Sequence, residues 1–363
     1  MAITETYVDP AINGASGAGT VGDPYGDLQH ALDTMTQDAV NGDRINIKAG
    51  TDEVLAAALD LTTYGTPVVT ARLVLQGYTT AAGDGGIGGI SGAGSYGMFA
   101  SNAVDYVSLY DLHMHNSGAA NIVDLDNEIL IYNCEINNSS NYGISFDAGY
   151  VVGCHVHDVG TLAIFTDNGF VYGCSVEYGG SYTPTYGIYA NAQSKFVNNT
   201  VKCTGAMIGI YLRSRSSATN NSVWSNGGTG KGIGAVDANT TVINNVVEGF
   251  SGAGGVGIEV SGTKQVETLL LSNAVYNCTT NYTKGLALID VNNDTLSGSG
   301  FTDAANGDFS MNGIVAGMTE DAFPVGTFPE GSTANAADKG AAQAGAGAGG
   351  GGGRRARIRA HGV

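Results

Sequence analysis

Four of the six histidines in this 363-residue chain lie in two short stretches, His113-Met114-His115 and His155-Val156-His157, with Glu135-Ile136-Asn137 between them. Residues two apart on a strand share a face, so the triplets line up as two outward columns: His113, Glu135, His155, Ser175 and, beside it, His115, Asn137, His157, Glu177. Imidazole and carboxylate together can hold a transition metal or act as an acid–base pair. His113 and His155 stand two repeats apart, roughly 10 Å, too far for one tight site. Glu135 and His155 are the neighbours that one ion could join. The plainer reading is a solvated ladder of polar side chains on an exposed sheet.

A second set lies further along each repeat. Asp147 and Asp167 occupy equivalent places, and Asn191 and Arg213 continue the row. Two carboxylates about 5 Å apart suit a retaining glycosidase or a Ca2+ site. Asp and Asn are also common where a strand turns, and that reading is preferred. Tyr189, Tyr211 and Trp224 are candidates for an outward platform on which sugar rings stack.

The elements that position these residues follow from a repeat. Aligning one residue per coil gives Leu112, Cys134, Cys154, Cys174, Asn199, Asn221, Asn245 and Asn273, at intervals of 20 to 28 residues. Two residues later every coil is apolar: Met114, Ile136, Val156, Val176, Val201, Val223, Val247 and Val275. Two residues earlier stand Tyr110, Tyr132, Val152, Tyr172, Val197, Thr219, Ile243 and Leu271, and strict alternation places all three positions inward. A second strand is marked by Ile144, Ile164, Ile188, Ile210, Ile233, Ile258 and Leu288. Short strands stacked in register make a parallel β-solenoid. An inward asparagine column satisfies itself, because each amide can donate to the next coil. Before the repeat, Leu28, Ala31, Leu32, Met35 and Ala39 share a helical face, which predicts a helix capping the solenoid's open end.

Composition agrees with an all-β solenoid: 57 glycines, 13% charged and 43% hydrophobic residues. The formal charge is −18, and the last ten residues hold four Arg and no acid, leaving 11 basic against 33 acidic residues and −22 for the rest. Such a body repels nucleic acid and anionic membranes. Five cysteines without C-x-x-C spacing read as free thiols. No basic and apolar leader precedes the fold, and no run of 18 apolar residues occurs. Beyond a strap near Phe323–Phe328, a Gly/Ala linker leads to Arg354, Arg355, Arg357 and Arg359, which read as an assembly arm.

The asparagine ladder, the stretch Gly42-Asp43-Arg44-Ile45-Asn46-Ile47-Lys48-Ala49-Gly50-Thr51 and the late Asp338-Lys339-Gly340-Ala341-Ala342-Gln343 resemble the pectate-lyase-like right-handed β-helix superfamily over most of residues 20 to 343. The resemblance implies an all-β, right-handed, single-stranded parallel β-helix. Its expected parts are an N-terminal segment and capping helix at 1–44, the β-helix at 45–310, a strap at 311–343 and the linker and arm at 344–363. It also implies a choice of functions, since polysaccharide lyases, glycoside hydrolases, adhesins and phage tailspikes share the fold. The chain departs from the polygalacturonase pattern: Asn-Thr-Asp, Gly-His-Gly and Arg-Ile-Lys are missing at any matching position. Arg213 beside the acidic pair is similar to the base of pectate lyases. The preferred expectation is a structural or adhesive bacteriophage virion protein on the virion surface, assembled in the host cytoplasm. Its partners would be other virion subunits or copies of itself, a trimer among the options, and surface polysaccharide, with neither nucleic acid nor membrane. The alternative is a secreted, extracellular polysaccharide lyase or glycoside hydrolase. No cofactor is expected beyond a Ca2+ at Asp147 and Asp167.

Overall fold

The computed structural model describes residues 3–311 apart from 13, 15, 101–103, 179–181, 183, 238, 262–267, 286–288 and 292. Its strands stack in parallel on three faces. One rung shows the path: Ile129–Tyr132 lies on the first face, Glu135–Ser139 on the second, and Tyr142–Val152 runs through the third and on into the first face of the next rung. Because Leu162–Tyr172 does the same, the first and third faces count as one 19-stranded sheet, beside an 11-stranded sheet for the second.

Each face contributes a column of buried apolar side chains. On the first face Ile45, Leu75, Leu109, Ile131, Val151, Val171, Phe196, Ala218, Val242 and Leu270 are in register. The second face supplies the Met114-to-Val275 column and the third the isoleucines from Ile144 to Ile258. That third column ends on Tyr282, which pairs with Ile258 in place of the expected Leu288; Leu288 itself lies outside the described residues.

The expected inward column from Tyr110 to Leu271 is corrected: these side chains are half-exposed and face outward, and the residue before each is buried instead. Alternation fails because one residue per rung is left-handed. Asp111, Asn133, Gly153, Gly173, Asn198, Asn220, Asn244 and Ser272 have φ between 50° and 63°, bending the chain from the first face to the second. Asn, Asp and Gly tolerate that conformation best. The bend turns the next residue inward, and this next residue is the ladder.

In the ladder, Asn199, Asn221, Asn245 and Asn273 are fully buried. Asn221 shows the pattern. Its Nδ2 donates to Asn245 Oδ1 (2.9 Å) and to the Phe196 carbonyl (3.0 Å), while its Oδ1 accepts from Asn199 Nδ2 (3.0 Å) and the Asn199 backbone N–H (2.9 Å). Asn293, not singled out by the repeat, ends the series by accepting from Asn273 Nδ2 at 2.8 Å. The cysteine rungs keep the donor half of the scheme, with Cys154 Sγ directed at the Ile131 carbonyl at 3.7 Å.

The parallel stack begins earlier than residue 45, because Thr4–Val8 pairs with Asp43–Lys48. Between them lies the cap helix, which spans Leu28–Thr34 with Asp27 Oδ1 accepting the His30 N–H at 2.7 Å. Leu28, Ala31 and Leu32 are buried as expected, but the helix stops before Ala39, which is exposed. At the far end an antiparallel hairpin, Phe301–Asp303 with Asp308–Met311, folds back on the second face, where Phe301, Phe309 and Leu296 pack on Val246, Ala274 and Trp224. The expected strap and arm, residues 311–363 apart from the Met311 backbone, lie outside the described residues.

Two measurements test this frame. Asn221→Leu removes the shared acceptor of the two Asn199 donors and the side-chain donor to the Phe196 carbonyl, leaving Asn245 Oδ1 with the Asn221 backbone N–H alone, and is expected to lower unfolding free energy by about 3 kcal/mol in urea, with Cys154→Ser milder; an Asn221→Leu protein as stable as the parent would contradict the ladder. Glu53 heads the apolar column of the second face, in register with Ile90, and accepts the Leu28 N–H at 3.3 Å. Burial, helped by Asp27, pushes its carboxyl up from 4.5 to about 7. The stabilisation from the protonated form is complete below pH 4.5 and is lost as pH climbs to about 7. Relative to Glu53→Gln, the parent should lose on the order of 2 kcal/mol across that range. Parallel stability–pH profiles for the two proteins would refute the assignment.

Candidate functional site

The third face carries a continuous chemical surface. Its outward positions alternate with the buried isoleucines, so two columns run side by side along the solenoid. One passes through Asp124, Ser145, Phe165, Tyr189 and Tyr211. The other, two residues later, passes through Asp126, Asp147, Asp167, Asn191 and Arg213, within the long strands at Asp147 and Asp167 and just beyond the strand in the other rungs.

The aromatic column is a stack. Phe165 and Tyr189 have ring centroids 5.4 Å apart at 26°, and Tyr189 and Tyr211 5.0 Å apart at 30°. Tyr142 extends the stack at one end, 6.2 Å from Phe165, and Tyr186 packs edge-on against Tyr189 at 5.1 Å. All of these rings are half-buried. Sequence reading singled out Tyr189 and Tyr211 and missed Tyr142, Phe165 and Tyr186. The tyrosine at the head of Tyr-Gly-Ile in two coils was the available signal. A glycine follows because the third face closes on the second there: a Cβ at Gly187 would stand 2.8 Å from a Val201 methyl.

Trp224 is not part of this platform. It lies on the second face, in register with Lys202 and Glu248, and packs against the apolar cluster under the C-terminal hairpin. The hairpin is held there by polar contacts also: Glu248 accepts from Ser299 Oγ (2.9 Å) and the Gly300 N–H (3.0 Å), and Lys202 Nζ donates to the Ala305 carbonyl (2.8 Å).

The acidic row gathers more charge than Asp147 and Asp167 alone. Burial, then the charges of Asp167 and Asp124, push the Asp147 carboxyl up; burial, then Asp147, Asp105 and Asp124, do the same for Asp126. Asp167 Oδ1 is buried without a hydrogen-bond partner. The row ends in a cation. Arg213 Nη1 donates to Asn191 Oδ1 at 2.9 Å and its Nε to Asp237 Oδ2 at 3.1 Å. The Tyr189 hydroxyl, then Asp237, hold the guanidinium further in its charged form. Arg213 is thus engaged one rung beyond Asn191 and two beyond Asp167.

On the second face the two histidine columns stand as the sequence places them, with Glu135 in register with His113 and His155, and Asn137 with His115 and His157. Burial, then His115, push the His113 imidazole down. Burial opposes ionisation of Glu135, but the His157 hydrogen bond and the nearby imidazoles prevail and hold its carboxyl below the usual range. Among the described residues, the sets of three ligand groups with donor atoms within 4.8 Å of one another are both here: Glu135, His155, His157 and Asp52, His113, His115. The acidic pair of the third face forms no such set. The Arg354, Arg355, Arg357 and Arg359 arm lies outside the described residues.

The fold is a right-handed parallel β-helix. A family profile described as a right-handed β-helix region matches residues 89–247. Among solved structures, pectate lyase Pel9A is similar over 95% of this chain and 98% of its own, with a TM-score of 0.55 at 12% identity. XylC, solved with xylose, covers 80% of this chain and 86% of its own at TM-score 0.48 and 9% identity. A lacto-N-biosidase from Eubacterium ramulus covers 80% and 67% at TM-score 0.46 and 11% identity. At such identities the likeness is one of fold. No curated protein matches the chain.

Proposed function

We propose that the chain is an adhesive β-helix protein whose third face holds a strand of polysaccharide. The observation that carries this reading is the aromatic stack from Tyr142 to Tyr211 lying along a row of carboxylates and amides. The exposed ring edges and tyrosine hydroxyls of such a stack offer apolar contact and hydrogen bonds to pyranose rings, and carboxylates or amides beside them accept from sugar hydroxyls. The rungs repeat at about 4.8 Å, so both sets of contacts recur along one line, which suits a polymer better than a small molecule. The overall charge of −18 and the acidic row favour a neutral or amino-bearing glycan. A Ca2+ bridging Asp147 and Asp167 would be needed to bring a uronate there.

The location we propose is a virion surface, with the subunit assembled in a reducing cytoplasm and joined to sister subunits or itself through the Arg354–Arg359 arm. The five free cysteines support that compartment, four of them buried and three, Cys134, Cys154 and Cys174, in contact on successive rungs without a disulfide. A second reading is favoured by one specific observation. Asp147, raised by burial and by Asp167, has the environment of a general acid beside a second carboxylate, as in a glycoside hydrolase or lyase.

Affinity electrophoresis against a panel of neutral, amino-bearing and acidic polysaccharides tests both. The adhesive reading expects a neutral or amino-bearing glycan to retard the protein. Tyr189→Ala with Tyr211→Ala should weaken that retardation at least tenfold, about 1.4 kcal/mol, with the fold retained by far-ultraviolet circular dichroism. Reducing ends and unsaturated-uronate absorbance should stay at background. If the parent releases products and Asp147→Asn with Asp167→Asn does not, the enzyme reading replaces the adhesive one; if no glycan retards the parent, both fall.

A further inference from the structure

The second face of the solenoid, away from the aromatic stack, carries side-chain geometry that a ladder of solvated polar groups does not require. His157 is oriented from both ends. Its Nδ1 lies 2.9 Å from Asp158 Oδ2, so Nδ1–H donates to that carboxylate and the Nε2 lone pair points away from it. Asn137 Nδ2 donates toward the same Nε2 at 3.0 Å, and toward His113 Nε2 at 3.1 Å, which again marks both as lone-pair acceptors. Yet Glu135 Oε1 stands 3.3 Å from His157 Nε2. Two electron-rich atoms at that separation repel unless a second imidazole proton or a metal ion lies between them. Zinc-type bonds of about 2.1 Å at a near-tetrahedral angle place two donors about 3.4 Å apart, which matches the gap.

A third donor is at hand. The His155 ring stacks on that of His157, centroids 4.5 Å apart, and its ligand atom lies within 4.8 Å of the other two, so a turn of the ring out of the stack aims its in-plane lone pair at the same ion. The side chains of Glu135 and His157 are 29% and 22% exposed, open enough to admit an ion and leave it a coordination position toward solvent. The Asp158–His157–ion relay has the form that fixes the tautomer and orientation of a metal-bound imidazole.

The arrangement occurs twice. His113 and His115 stack with centroids 4.4 Å apart, and His115 Nε2 is 2.9 Å from Asp52 Oδ2. Asp52 sits two rungs from the histidines, with Gly89 between. It reaches them because Gly89 has no side chain: a Cβ there would fall 1.8 Å from Asp52 Oδ1.

We propose that the second face binds two divalent transition-metal ions of the imidazole-preferring class, one at Glu135, His155 and His157 and one at Asp52, His113 and His115. Two imidazoles and one carboxylate suit Zn2+, Co2+ or Ni2+ and disfavour Mg2+ and Ca2+, which take oxygen ligands. Asn137, touching a nitrogen of each set, lies between the two ions and must give up both contacts when they bind.

Equilibrium dialysis of the full chain against Zn2+, with Co2+ as a spectroscopic probe, tests this. The expected result is two ions bound per chain in the presence of excess Mg2+ and Ca2+, and a Co2+ visible spectrum typical of mixed nitrogen and oxygen ligation. His155→Ala with His157→Ala should remove one equivalent, His113→Ala with His115→Ala the other, and the four together both, each with unchanged circular dichroism. Asp158→Asn should weaken one site roughly ten- to a hundredfold and leave its twin intact. Stoichiometry unchanged in the fourfold variant, displacement by Mg2+ or Ca2+ at equal concentration, or no binding at micromolar Zn2+ would overturn the proposal. The last result would leave His157 as an imidazolium paired with Glu135 and Asp158.

Discussion

The left-handed residue between the first and second faces is the constraint on which the rest of this structure depends. At about 4.8 Å per rung, any side chain that points inward in one coil meets its own counterpart in the next. The stack is stable only if every coil bends at the same place. Asn133, Asn198, Asn220 and Asn244 perform that bend with side chains as well as backbone, and the residue after each is delivered to the ladder. A buried amide left alone would cost on the order of 1 to 3 kcal/mol; in the column each one supplies its neighbour's missing partner. The bend and the ladder therefore enforce each other. A coil out of register would lose the donor and the acceptor of its ladder amide together.

The same repetition carries the surface. Because the inward columns are in register, so are the outward ones, and residues with no sequence proximity become neighbours. Phe165, Tyr189 and Tyr211 stack although 24 and 22 residues separate them. The acidic row accumulates mutual repulsion for the same reason, which adds to burial in the upward displacement of Asp126 and Asp147. Columns of like character are thus an outcome of the fold, and what distinguishes a site is an arrangement that the repeat does not explain. Asp52 reaching across Gly89 is one. The Asp158–His157–Glu135 relay is another, since neither of the flanking rungs has it.

Much of this was legible in the sequence because coils of 20 to 28 residues bring identical residue types to one position. The ladder, the Val and Ile columns, the histidine columns and the Asp147/Asp167 row all followed from that alignment. What failed did so for identifiable reasons. The column from Tyr110 to Leu271 faces outward because alternation does not survive a residue at positive φ. Leu288 was assigned to a position that Tyr282 fills, with its hydroxyl donating to the Asn273 carbonyl at 3.0 Å, because the last coil closes early. Asp52 could not be matched to His115 since the intervening rung shows only a glycine. Trp224 was read as exposed because nothing local announces that residues 301–309 return to cover it.

That return has its own logic. Outward positions of the second face are polar where it carries His113, Glu135 and His155, and turn apolar at Val246 and Ala274, one column continued along one sheet. Apolar outward columns cannot face water without cost, and together with Trp224 they form a patch large enough to need a cover. The returning segment provides Leu296, Phe301, Ala304 and Phe309 for that patch. Glu248, inside the patch, becomes tolerable only because Ser299 and Gly300 donate to it, and its carboxyl is still pushed up by burial. The boundary between covered and open surface is therefore set by which outward residues the coils supply. The histidine half stays accessible because its side chains satisfy one another in water, which is the condition a binding surface on this face has to meet.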